Sequence, residues 1–381
     1  MHPIVILGSG LAGYNVAREL RKLDTSAALT IISADSGSFY SKPMLSSAFG
    51  AGKTAQSIAI SSAEQMAAQL NATVRANTSV TAIDTAAHTL SLGGETLAYS
   101  KLVIALGAEQ IRLPIGGNAA ARVMTVNDLD DYADFRAALK APSTVALIGA
   151  GLIGSEFAND LTSGGHRVHV IDIAAWPLAR LLPPESGTLL QQKLAALGVT
   201  WHLQTSVTAI DQAGDRLKVT LAGATTLEAD VVLSAVGLRP RTDLAQAAGI
   251  KTGRGILINR LHETSAADVY ALGDCIEIEG LLLPYVMPLM TSARALAATL
   301  AGKPTPVSYP AMPVLVKTPA WPTIVSPPAS GTTGVWEITA DADGLKALFK
   351  AADGRLLGFA LHGKATAERA ALAKELPAVL G

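Results

Sequence analysis

The chain has 381 residues, enough for two or three domains of ordinary size and for a sizeable core. Hydrophobic residues make up 49% and charged residues 16%, which excludes a disordered chain, and a formal charge of -1 leaves no cationic excess for a nucleic-acid backbone. The single cysteine, Cys275, forbids an internal disulfide, a CxxC zinc site and a paired-thiol relay, and suits a reducing cytoplasm. The opening MHPIVILGSGLAG lacks the basic region of a signal peptide, and no run reaches the 18 or so apolar residues of a membrane span, so neither export nor a membrane is expected.

In chain order, IVILGSGLAGYNVAREL (4–20) predicts a buried parallel strand, a glycine turn and a helix, and TIISAD (30–35) a second strand ending in an acid. KLVIALGA (101–108) reads as a further strand. The first plan then recurs in VALIGAGLIGSEFANDL (145–161), again followed by a strand ending in an acid, VHVID (168–172). DVVLSAVG (230–237) and DVYALGDC (268–275) are strand-like, and Pro288 opens a helical pattern over 289–302 that Gly302 stops. After residue 311 come short strands, a PPASG loop (327–331), a hairpin turning at Asp353 and Gly354, and a C-terminal helix.

Both copies carry GxGxxG, as Gly8, Gly10, Gly13 and as Gly149, Gly151, Gly154. The first glycine of such a set permits the tight turn, the second lets backbone approach a pyrophosphate, and the third lets helix and strand pack closely. An acid about 20 residues on accepts from a ribose hydroxyl, and Asp35 and Asp172 stand there. A lone GxGxxG is a weak signal. Two full strand-turn-helix-strand-acid copies point to two bound dinucleotides.

Together with the ALGA, SAVG and ALGDC strands, this pattern resembles the FAD-dependent pyridine-nucleotide oxidoreductases over essentially the whole chain. FYSKPMLS (39–46), SAVGLRPRT (234–242), YVMPLM (285–290) and VKTP (316–319) are most similar to its rubredoxin-reducing branch, and second to its flavorubredoxin-reducing branch. The resemblance implies an α/β fold with two Rossmann-like domains and a small C-terminal α+β domain. The FAD domain would be split over 1–112 and 242–311, the NAD domain would occupy 113–241, and the C-terminal domain 312–381.

Position by position, the resemblance implies that Gly8, Ser9, Gly10, Leu11, Ala12 and Gly13 wrap the FAD pyrophosphate and that Ala34 and Asp35 close on its adenosine ribose. Val80 would meet the adenine, Gly273 and Asp274 the ribityl and pyrophosphate region, and Val286 the flavin edge, with the positive end of the following helix aimed at the ring. Lys42, followed by Pro43, occupies the place where thiol-using relatives carry a redox cysteine, and Lys317 resembles a second cation beside the flavin. Glu156 would lie near both flavin and nicotinamide. NADH would lie on Gly149, Gly151, Leu152, Ile153, Gly154, Asp172 and Gly237, and the Asp172 carboxylate would repel the 2′-phosphate of NADPH. Trp176 is open to two readings, an adenine neighbour or a packed aromatic.

No His, Cys and acid set has metal-ligand spacing, so no metal is expected; His166 and His169 read as structural. Cys275, without a partner thiol, reads as a buried small hydrophobe. The expected activity is transfer of a hydride from NADH to FAD and then of single electrons to rubredoxin, with ferredoxin or flavorubredoxin as rival acceptors. An NADH-responsive signalling flavoprotein is the alternative from another class. Residues 281–336 carry only Arg294, Lys303 and Lys317 as formal charges, and residues 36–63 only Lys42 and Lys53, which suits an acidic partner. A short C-terminal domain without an apolar stripe suits a monomer.

Overall fold

A computed structural model describes residues 2–381. The strand Ile4–Leu7 is buried at every residue and pairs in parallel with Leu29–Ile32 on one side and Lys101–Ile104 on the other. Thr73–Arg75 and Val269–Ala271 complete a five-stranded parallel sheet. The last of these strands arrives from far along the chain, so the sheet is assembled around everything between.

The Leu11–Leu23 helix is buried all round from Ala12 through Ala17 and on one side at Leu20, and carries Arg21 and Lys22 in its last turn, where cations favour the helix dipole. It packs on the helix Val286–Leu300. That second helix begins three residues before the expected 289 because Pro288 is accommodated within the first turn, where a missing N–H costs nothing.

The second parallel sheet has four strands, in the spatial order Thr200–His202, Arg167–Ile171, Thr144–Ile148, Val231–Ser234. Its helix, Leu152–Ser163, is buried on nearly every side, from Gly154 through Leu161. Where the chain passes between the sheets and returns, Ala108–Gln110 and Leu238–Pro240 pair antiparallel, reinforced by Arg239 on Glu109. Beyond residue 311 a five-stranded antiparallel sheet runs Val314–Val316, Thr323–Ser326, Leu356–Gly363, Gly344–Lys350, Val335–Ala340, followed by the helix Arg369–Glu375. The PPASG loop falls between strands and the Asp353–Gly354 turn between Gly344–Lys350 and Leu356–Gly363, as expected.

Candidate active site

In each parallel sheet the glycine turn leaves the carboxyl end of a central strand, the place where open α/β sheets bind ligands. Gly8 (φ 114°) and Gly149 (φ 108°) share the same left-handed backbone. A Cβ on Gly13 would stand 1.9 Å from the Gly8 carbonyl oxygen, and one on Gly154 the same distance from that of Gly149, so helix and turn touch backbone to backbone in both.

Gly10 and Gly151 differ in kind. Their φ angles, -65° and -71°, suit any residue, and a Cβ on either would meet no atom of the chain within 4 Å. Nothing inside the protein requires glycine there. A group approaching from outside would, and a pyrophosphate seated on the N-terminus of a helix of 13 or 12 residues fits both places.

The acids that follow are already held. Asp35 Oδ1 accepts from Ser33 Oγ at 2.5 Å, from the Gly37 N–H at 2.9 Å and from Ser9 Oγ at 3.2 Å, leaving Oδ2 without a partner among the described residues. Asp172 accepts from the Ala150 N–H at 2.5 Å and the Ala174 N–H at 2.7 Å. Asp35 Oδ2, and a second lone pair on each Asp172 oxygen, remain for a ribose hydroxyl.

Lys42 opens a short 3-10 turn, Lys42–Ser47, and donates to Asn127 Oδ1 at 2.6 Å. Burial holds its ammonium below the usual lysine range, opposed by the nearby Asp274 carboxylate; burial conversely raises Asp274, opposed by Lys42. Pro43 follows within the same turn, and Gly273 (φ 85°) would press a Cβ to 2.8 Å from Ala12, so the Asp274 strand end and the first turn fit closely. Val80 makes no backbone hydrogen bond among the described residues. Val286 stands 41% exposed at the start of its helix, and Ile153 38% exposed beside Gly154. Gly237 (φ 124°) follows the strand Val231–Ser234.

Two distant parts of the chain meet on the Leu152–Ser163 helix. Glu156, 1% exposed, accepts from Ser46 Oγ at 2.5 Å, from the Lys317 N–H at 3.0 Å and from Lys317 Nζ. One turn on, Asn159 Oδ1 accepts from the Ala320 N–H at 3.1 Å, while Asp160 takes the Phe49 and Gly50 N–H groups at 2.8 and 3.1 Å. Burial raises the Asp160 carboxyl above its usual range. This helix therefore fastens the Lys42 turn on one side and the C-terminal sheet on the other.

A family model for pyridine nucleotide-disulphide oxidoreductases matches residues 2–298, and one for a rubredoxin binding C-terminal domain matches 306–376. The chain belongs to the pyridine nucleotide-disulphide oxidoreductases. Within that family it is 49% identical to the rubredoxin-NAD(+) reductase of Alcanivorax borkumensis over the full length of both chains. It is 47% identical to that of Acinetobacter baylyi, covering 99% of this chain and 98% of the relative. The crystal structure of a ferredoxin reductase from Rhodopseudomonas palustris superposes with a TM-score of 0.89 at 26% identity, covering 99% of this chain and 96% of the other.

The family name refers to a disulphide that this member cannot form. Cys275 is fully buried, donates to the carbonyls of Leu272 and Ile104, and its thiol is pushed up to about 12 by burial. Trp176 is half-buried: its Nε1 donates to the Leu182 carbonyl and its ring lies against Gly187. His166 is buried with Nδ1 accepting from the Ser143 N–H, His169 faces His202, and no metal-binding cluster occurs among the described residues. Lys317, expected as a cation beside the flavin, has its ammonium on Glu156 and Ser46. Ser46, Asn127, Asn159 and Asp160 were not legible as site residues, since each acts on a partner 85 or more positions away.

Proposed function

We propose that this chain is an NADH-dependent reductase of rubredoxin that holds FAD on its first glycine turn and NADH on its second. The observation that carries the reading is the pair of matched turns, each with a glycine that only an outside group explains, joined to a C-terminal sheet matching the rubredoxin-binding model. Alignment over the whole chain with two rubredoxin-NAD(+) reductases supports the acceptor. FAD, when bound, supplies the junction between the two-electron hydride of NADH and the one-electron demand of an iron centre.

The chain's own residues do the placing. The Ser9–Gly13 N–H groups and the positive end of the Leu11–Leu23 helix would hold the FAD pyrophosphate, with Gly8 making the turn. Ala34 and Asp35 would hold the adenosine ribose, Val80 the adenine, Gly273 and Asp274 the ribityl chain, and Val286 the ring edge. Lys42, with Pro43 fixing its turn, would place positive charge where negative charge accumulates on reduction, while Lys317, paired with Glu156, would stand beside the flavin as a neutralised cation. Gly149, Gly151, Leu152, Ile153, Gly154 and Gly237 would seat NADH, and Asp172 would select it over NADPH by repelling a 2′-phosphate. Glu156, held by Ser46 and by Lys317 beside the C-terminal sheet, would lie near both the flavin and the nicotinamide.

On this reading the FAD domain comprises residues 1–112 and 242–311, the NAD domain 113–241 and the C-terminal domain 312–381. An acidic partner suits the stretches 36–63 and 281–336, which carry cations and no acid. No helix among the described residues is long and apolar enough to cross a membrane. One buried, unpaired cysteine suits a reducing cytoplasm, and a short C-terminal domain without an apolar stripe suits a monomer.

A panel of purified one-electron carriers assayed with NADH tests the acceptor. Rubredoxin is expected to be reduced with the highest kcat/KM. Faster turnover with a ferredoxin would transfer the reading to the ferredoxin reductases that the fold also resembles.

A further inference from the structure

An ammonium has three N–H donors, and Lys42 has one acceptor for them among the described residues, Asn127 Oδ1 at 2.6 Å. Asn127 is itself buried, at 8% exposure. Its Nδ2 donates to the Ala108 carbonyl at 3.1 Å, which commits the amino group and turns the oxygen toward Lys42. Its backbone N–H donates to Asp131 Oδ2 at 2.8 Å, and Asp128 caps the Leu129–Ala138 helix through the Asp131 N–H at 2.9 Å.

The neighbouring residues are fastened too. Gln110 Nε2 donates to the Val126 carbonyl at 2.9 Å, and Met124 exchanges hydrogen bonds with Val232 and Ser234 at the edge of the second parallel sheet. The anchor of Lys42 thus lies 85 residues away on the connection to that sheet, and not in the first glycine turn.

We propose that Asn127 is the positioning residue for Lys42, holding its ammonium in place with two donors still free, and so making the cation's position depend on the second sheet. The inference rests on Lys42 facing FAD. A lysine side chain has many rotamers to choose among, so a cation meant to act at one point needs a fixed acceptor. An amide oxygen supplies that without cancelling the charge. A carboxylate would fix the ammonium equally well and neutralise it, and Asp274, the carboxylate whose charge bears most on Lys42, makes no ion pair with it among the described residues.

The test is the two-electron midpoint potential of bound flavin, measured by dye equilibration in the holoprotein, for Lys42→Met, Asn127→Leu, Asn127→Asp and the Leu/Met double variant, with flavin content and Tm recorded for each. Lys42→Met should lower the potential. Asn127→Leu should shift the reduction equilibrium about tenfold in the same sense, about 30 mV for a two-electron couple, and should shift nothing further once Lys42 is Met. Asn127→Asp, which keeps the side-chain volume if the leucine variant folds poorly, should lower the potential more than Asn127→Leu. An equal shift from Asn127→Leu with and without Lys42, or an unchanged potential in Asn127→Asp, overturns the proposal. If Lys42→Met leaves the potential unchanged, the reading of Lys42 as a flavin-facing cation fails and takes this inference with it. A shift from Lys42→Met with none from either Asn127 variant sinks the inference alone.

Discussion

Alanine at Gly10 or Gly151 separates ligand binding from folding. The new methyl would meet no chain atom within 4 Å at either position, and the backbone is one that alanine adopts freely. Both residues cap a helix, where alanine is poorer than glycine, but alanine also restricts the unfolded chain by about 0.4–1 kcal/mol, so the net change in fold stability should stay within about 1 kcal/mol. The methyl does occupy the approach of a pyrophosphate. Loss of one hydrogen bond to a charged group is worth about 1.5–3 kcal/mol, or roughly ten- to hundredfold in affinity. Gly151→Ala should keep its flavin and its Tm while the Kd for NADH rises by that factor, and Gly10→Ala should lose flavin. Gly13→Ala and Gly154→Ala should fail to fold, because their methyls meet a carbonyl oxygen at 1.9 Å. Flavin absorbance, thermal unfolding and NADH titration read all four. The reasoning is refuted if Gly151→Ala binds NADH normally, or destabilises the protein as much as Gly154→Ala.

Glu156→Ala strands the Lys317 ammonium, which is 27% exposed, and should cost about 3 kcal/mol, the low end for breaking a buried pair and about 4 °C in Tm for a chain of this length; an unshifted melt would deny that this contact joins the parts. Burial holds His262 and His362 at about 4 instead of 6.5, so the unfolded chain takes up protons first. Their contribution is complete above pH 6.5 and is lost as pH falls toward 4, amounting to about 2 kcal/mol per histidine by pH 5. His362→Gln should flatten the acid limb of denaturant-unfolding stability, and a limb parallel to the parent's would contradict the assignment. Rubredoxin reduction should slow with rising salt while NADH oxidation by a small artificial acceptor does not; equal insensitivity of both ends the steering idea.

The parallel strands and both glycine turns were legible because their signals are local. Four apolar residues, three glycines and an acid within 32 positions are read from one stretch, and both stretches fold as expected. Lys42, Asp274, Glu156 and Lys317 could be singled out only through a family likeness, since nothing nearby distinguishes a site lysine from a surface one. What they touch was not legible. Glu156 meets Lys317 across 161 residues and Lys42 meets Asn127 across 85, and no periodicity encodes such pairs. The helix start at Val286 was missed because the rule for proline fixes the first turn and not its first residue.

Anaerobic stopped-flow mixing tests the central claim most directly. The protein is mixed first with NADH and then with oxidised rubredoxin, and the flavin absorbance is followed through both steps. Rapid bleaching by NADH, followed by reoxidation of the flavin in step with one-electron reduction of two equivalents of rubredoxin, is the predicted result. A reduced complex that persists in the presence of rubredoxin contradicts it and favours a signalling role.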